Sequence, residues 1–205
     1  MSILLKRIVT AALVAGLLGS CTIIPTISRT YLLDSIRPDT ISVSVGTEVP
    51  LGESNDILPD PIYEYVSYAP NEWLEFGVAG HWGIALPAIE AKVDLLSAFG
   101  AKTPWSVLLH AGIGTPLSSD STGVLIHGGV AGNYRLSPKF ELYGAVGSSS
   151  ISQIPVFQIG TAFTPINWLS LSGNLKIAVN TREDRTDSSP IAFMFSFSPS
   201  LVFGL

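Results

Sequence analysis

The stretch "IAFMFSFSPSLVFGL" places Ile191, Phe193, Phe195, Phe197, Pro199, Leu201, Phe203 and Leu205 on every odd position. A period of two marks a β-strand, because successive side chains point to opposite faces. The even positions, Ala192, Met194, Ser196, Ser198, Ser200, Val202 and Gly204, are uncharged and mostly small. Neither face is built to meet bulk water, which leaves a narrow choice of surroundings for the greasy one.

The same period runs through most of the chain after Ile41. "WLEFGVAGHWGIAL" sets Leu74, Phe76, Val78, Trp82, Ile84 and Leu86 against Glu75, Gly77, Ala79, His81, Gly83 and Ala85, and "WLSLSGNLKIAV" sets Leu169, Leu171, Leu175, Ile177 and Val179 against Ser170, Ser172, Asn174, Lys176 and Ala178. A weak repeat punctuates these strands: "YAPNEWLEFGVAG", "YRLSPKFELYGAVG" and "FTPINWLSLSGNL" each carry an aromatic residue, a proline-containing turn, a second aromatic and renewed alternation. "FGAKTPWSVLLHAG" is a looser copy. Tight hairpin turns of this kind alternate with other connections at 52–60, around Pro87, at 117–122, at 148–154 and at 182–189.

About ten strands follow, near 41–49, 62–69, 73–86, 88–99, 104–115, 123–136, 139–148, 155–164, 167–180 and 191–205, with eight as the lower count. Several reach the length of roughly 9–11 residues that a tilted strand needs to cross a bilayer. An even count returns both ends of the barrel segment to the tight-turn side. The expected fold is an all-β, antiparallel, up-and-down transmembrane barrel over 41–205.

Composition agrees with this reading. Only 13% of the residues are charged against 47% hydrophobic, and the mean hydropathy is +0.44. No run of 18 apolar residues occurs, which excludes a bundle of membrane helices. The net charge of −5 and the scattered basic residues exclude nucleic acid as the expected partner.

The first 20 residues carry Lys6 and Arg7 and then the uncharged "IVTAALVAGLLGS", too short a helix to span about 30 Å. They read as a signal peptide, and "LLGSC" resembles the lipobox of bacterial lipoproteins. That resemblance implies cleavage before Cys21, acylation of Cys21 with palmitate-type chains, and, with Thr22 rather than Asp next, delivery to the outer membrane. Cys21 is the one cysteine of the chain, so an internal disulfide is excluded, and a free exported thiol is the alternative. Two of the 11 basic residues lie in this leader, leaving 9 basic and 16 acidic residues beyond it. Residues 21–40, with Pro25, Pro38 and no sustained period, read as a periplasmic tether.

On its hairpin pattern, "YRLSPKFELYGAVG" above all, the stretch Ile41 to Leu205 resembles the small outer-membrane β-barrels of Gram-negative bacteria, the OmpA-like and OmpW-like group. The last strand departs from that group's usual terminal Phe or Trp, since Phe203 is followed by Gly204 and Leu205. The resemblance implies outer-membrane lipid, the barrel-assembly machinery and the lipoprotein-sorting machinery as partners, with short turns in the periplasm.

Three functional classes arise from the residues. The first is a structural barrel or a narrow passage for small solutes, since Gly, Ala and Ser inside leave room. The second is a lipid-anchored periplasmic β-barrel or sandwich that binds an apolar ligand, although a soluble sheet would carry long polar residues on its outer face. The third is a lipid-modifying enzyme, for which no G-x-S-x-G and no close Ser and His pairing occurs, so no catalytic residue is assigned. No cofactor motif is found; "GVAGHWG" is glycine within a strand.

His81, His110, His127, Lys92, Lys176, Glu90 and Asp94 fall by phase on the inner face. The expected reading is a polar interior in which charges neutralise one another, Glu90 and Asp94 flanking Lys92. His110 and His127 on adjacent strands are close enough in topology to meet, but stagger decides whether they do, and no metal ligand set is assigned. Trp73, Trp105, Tyr134, Phe140, Phe163 and Trp168 lie beside the tight turns as a candidate interface girdle. Strict alternation would turn Trp73 and Trp168 toward the lumen.

Overall fold

The computed structural model describes residues 35–51, 63–81, 85–114, 124–149, 155–179 and 191–205. The leader 1–20, Cys21 and most of the expected tether lie outside the described residues. Ten strands form in chain order: β1 Thr40–Pro50, β2 Tyr63–Asn71, β3 Leu74–His81, β4 Ala85–Asp94, β5 Trp105–Gly114, β6 Leu125–Ser137, β7 Phe140–Ser149, β8 Val156–Ile166, β9 Leu169–Val179 and β10 Ile191–Gly204. Each pairs antiparallel with the next, and β10 pairs with β1, from Thr40↔Gly204 to Pro50↔Met194, closing the barrel. Closure leaves no strand without a neighbour on either side, so the sheet has no free edge.

Alternation assigns the two surfaces as the sequence implies. On β10, Phe193, Phe195, Phe197 and Leu201 are exposed, whereas Met194, Ser196, Ser198, Ser200 and Val202 are buried. The outward set continues around the circumference through Ile89, Ile113, Ile126, Val130, Leu142, Val146, Phe157 and Ile159, all exposed. Water-soluble monomers rarely expose apolar patches beyond a few hundred Å². An apolar circumference over ten strands of 8 to 14 residues is the outside of a transmembrane barrel.

Three local departures from the expected strands have physical causes. The strand expected over 88–99 ends at Asp94, whose carboxylate accepts from the N–H groups of Leu96 (3.0 Å) and Ser97 (3.5 Å) and from Ser97 Oγ (2.9 Å). Capping of this kind starts the short helix α1, Leu95–Ala98. The helix stops at Gly100, whose φ of +72° few other residues would accept.

Pro87, expected at a turn, sits inside β4. There Ala79↔Ala88 gives way to His81↔Ala85, so the strand bulges and the missing proline N–H is not needed by the ladder.

Trp73 and Trp168 do not turn into the lumen. Both occupy tight turns, where alternation breaks down, and are 38% and 55% exposed. The turn-end mouth is instead filled by the chain just before β1. Ser35 and Ile36 are buried, and Ile36 packs among Ala69, Leu108, Ala131 and Tyr143. That part of the stretch read as a tether is thus a plug.

Candidate functional site

Alternation sends β1 Glu48, β2 Tyr65, β3 Glu75, β4 Glu90 and Lys92, β5 His110, β6 His127 and Asn133, β7 Glu141 and Tyr143, and β9 Asn174 and Lys176 into one narrow interior. These groups lie out of water, so each needs a partner of opposite charge or a hydrogen bond. The site is the set of cross-strand contacts that results.

Lys176 Nζ bonds Glu48 Oε1 across the intervening β10, with both side chains fully out of solvent. Ser196 Oγ, on β10 between them, donates to the same oxygen at 3.3 Å. On β3 and β4, Lys92 Nζ lies 3.1 Å from Glu75 Oε1, which also accepts from the Tyr65 hydroxyl at 3.1 Å. The sequence placed Glu90 and Asp94 beside Lys92 on the inner face. Register brings Lys92 to Glu75, because these two lie directly opposite on β3 and β4. Asp94 serves α1 and accepts from Val107 N–H at 3.3 Å.

Glu90 Oε1 lies 2.8 Å from His127 Nε2. The His110 ring is 5.3 Å from that of His127, centroid to centroid, at an interplanar angle of 34°. Both histidines are buried, and the stagger brings their rings together. His81 lies in β3 opposite Tyr63 and Ala85; its side chain is outside the described residues.

At the turn end, Glu141 accepts from Ser35 N–H at 3.2 Å, from the Ser35 hydroxyl and from Asn133 Nδ2 at 3.1 Å. Arg37 donates to Thr164 Oγ1 at 2.6 Å and to Ser170 Oγ at 3.2 Å. Around them lies a vestibule of about 280 Å³ lined by Arg37, Arg135, Lys139, Glu141 and Thr164 among others. Deeper in, a small cavity between Ser44, Ser67, Tyr65 and Lys92 measures about 10 Å³, room for at most a single water. The aromatic residues assigned to the turns stay on the outer rim. Trp105 and Phe163 are exposed, and Trp105 stacks at a tilt on Tyr134 with centroids 4.5 Å apart. Phe140 is half-buried beside them in the β6–β7 hairpin.

Glu48, Tyr65, Asn133, Glu141, Tyr143 and the plug were not singled out from sequence. The available signal was phase: a charge such as Glu48 within "ISVSVGTEV" has only the interior to occupy.

Glycines make the crowding possible. A methyl on Gly77 would lie 2.4 Å from the Tyr65 ring, so the ring covers that glycine. Gly77→Ala is expected to cost about 1–3 kcal/mol by overpacking, read as a lowered urea midpoint in detergent. Gly132→Ala, where nothing lies within 4 Å, is expected to stay within about 0.5 kcal/mol of the parent.

No protein-family model matches the chain, and no curated protein does. Among solved structures it is similar to the N-terminal β-barrel domain of Pseudomonas aeruginosa OprF, at 9% identity and a TM-score of 0.35, covering 81% of this chain and 98% of that one. It is also similar to a chain from the de novo design of transmembrane β-barrels, at 14% identity and a TM-score of 0.38, covering 83% and 100%. A third similar chain comes from engineered proteins of asymmetric conductivity, at 12% identity and a TM-score of 0.35, covering 69% and 44%.

Proposed function

We propose that the chain is a non-enzymatic β-barrel of the Gram-negative outer membrane, held additionally by a lipid on Cys21 in the periplasmic leaflet, with a structural role and a closed lumen. One observation carries this reading: an apolar circumference encloses an interior spanned by buried pairs such as Glu48–Lys176 and Lys92–Glu75. A solute path needs continuous space, and the small cavity of about 10 Å³ beside Lys92 and Glu75 supports a closed lumen at that level. The barrel-assembly and lipoprotein-sorting machineries are the partners this biogenesis requires.

The second reading is a narrow passage, favoured by the vestibule and its cations Arg37, Arg135 and Lys139, which would draw small anions to that mouth.

The deciding experiment compares the parent with Cys21→Ser in washed outer membranes. Both are expected to resist carbonate extraction and to migrate faster on an SDS gel unheated than boiled. The parent alone should carry acyl chains on its N-terminal peptide by mass spectrometry. Release of Cys21→Ser by carbonate would instead favour a periplasmic lipoprotein that binds an apolar ligand. Steady conductance of the purified parent in a planar bilayer would favour the passage.

A further inference from the structure

We propose that Glu90, His110 and His127 form a binding site for a divalent cation of the zinc class inside the barrel. The ligand atoms these residues offer all lie within 4.8 Å of one another, and all three side chains are buried.

The site is a product of register. Glu90 on β4 pairs with Gly112 on β5, and Gly112 pairs with His127 on β6. These three positions form one row across the sheet with glycine in the middle. A methyl on Gly112 would stand 2.3 Å from His127 Cε1 and Nε2 and 2.9 Å from Glu90 Cγ. The carboxylate and the imidazole meet over that gap, and His110, two residues along β5 on the same face, brings its ring beside them. His127 lies two residues inside the start of β6, toward the mouth opposite the plug.

Charge favours a cation there. Among the described residues, the buried carboxylates are Glu48, Glu75, Glu90, Asp94 and Glu141, against the two buried ammonium groups of Lys92 and Lys176. Lys92 contacts Glu75 and Lys176 contacts Glu48. The group facing Glu90 Oε1 is an imidazole, and an imidazole offsets a buried carboxylate by carrying a proton or by sharing a metal ion. Two imidazoles and a carboxylate are the donors that zinc and its neighbours prefer, with ligand bonds of about 2.0–2.2 Å. Tetrahedral ligands at such bond lengths lie about 3.4 Å apart, so small side-chain rotations bring this triad to coordinating distance.

The test uses full-length protein purified from membranes without a histidine tag, stripped with a chelator and shown to be folded by its heat-dependent gel mobility. Titration with Co²⁺ is expected to give the visible ligand-field bands of a tetrahedral nitrogen and oxygen site, saturating at one cation per chain and abolished by Zn²⁺. His110→Gln and His127→Gln, each folded by the same criterion, should weaken uptake by about 100-fold or more, and Gly112→Ala should weaken it without removing a ligand. Should the variants fail to fold, X-ray absorption of the zinc-loaded parent decides, with the multiple scattering of two imidazoles as the expected signature. A folded parent that takes up neither ion, folded histidine variants that bind as the parent does, or zinc without imidazole scattering would each overturn the site and leave Glu90 and His127 as a polar contact only.

Discussion

Arginine at Phe197 is expected to destabilise the barrel by about 2–4 kcal/mol and to deplete the heat-modifiable band in membranes. Phe197 stands at the middle of the 14 residues of β10, opposite Thr47 on β1 and Gly173 on β9, and its ring points outward, 42% exposed. In water such a position would tolerate a charge with little effect; in hydrocarbon it demands that the guanidinium be dragged to an interface or hydrated in place. Depth supplies the control. Leu136, equally outward at 53% exposure but one residue from the end of β6, lies where a charge reaches the interface, and Leu136→Arg should cost only about 0–1 kcal/mol. Ser196→Arg completes the set: Ser196 is fully buried against Glu48, so the variant should fail to assemble. A chain that tolerates both Phe197→Arg and Ser196→Arg would not be a membrane barrel. Equal costs at Phe197 and Leu136 would deny the depth dependence that only a bilayer imposes.

The second large effect lies inside. Lys176→Met leaves Glu48 in the lumen without its ammonium, and Glu48→Gln leaves Lys176 without its carboxylate; each single change is expected to cost about 3–5 kcal/mol. The double variant Glu48→Gln/Lys176→Met should recover most of that loss, because the desolvation of both charges disappears with them. Urea unfolding of detergent-refolded protein, followed by tryptophan fluorescence, gives all four corners of the cycle and hence the coupling. Losses below about 1 kcal/mol for the single variants would mean that water reaches the pair, and with it that the lumen is open at this level.

How far the sequence carried is plain from particular residues. The alternation of "IAFMFSFSPSLVFGL" set Phe193 and Ser196 on opposite faces, and in the structure Phe193 is exposed outside and Ser196 buried within. The turn-and-connection rhythm led to ten antiparallel strands. The same rule failed at Trp73 and Trp168, because alternation holds only while the chain remains extended. It failed again past Asp94, where a side-chain cap outcompeted the ladder and began α1. Nothing in "TISRTYLLDSIRPDT" signalled that Ser35 and Ile36 would fill the mouth, since a plug has no period of its own.

The sequence by itself determined which side of each strand a residue occupies, because the two faces of a strand are fixed by local geometry. It determined in this way that His110, His127, Glu90, Lys92 and Lys176 would share an interior. Only the tertiary structure decided who meets whom. That Lys92 takes Glu75, that Lys176 reaches past β10 to Glu48, and that Glu90 and His127 close over Gly112 all depend on strand stagger and barrel closure. Stagger is a property of two strands together. It is set by the summed pairing and packing of every neighbour around the ring, and no single strand's sequence contains it.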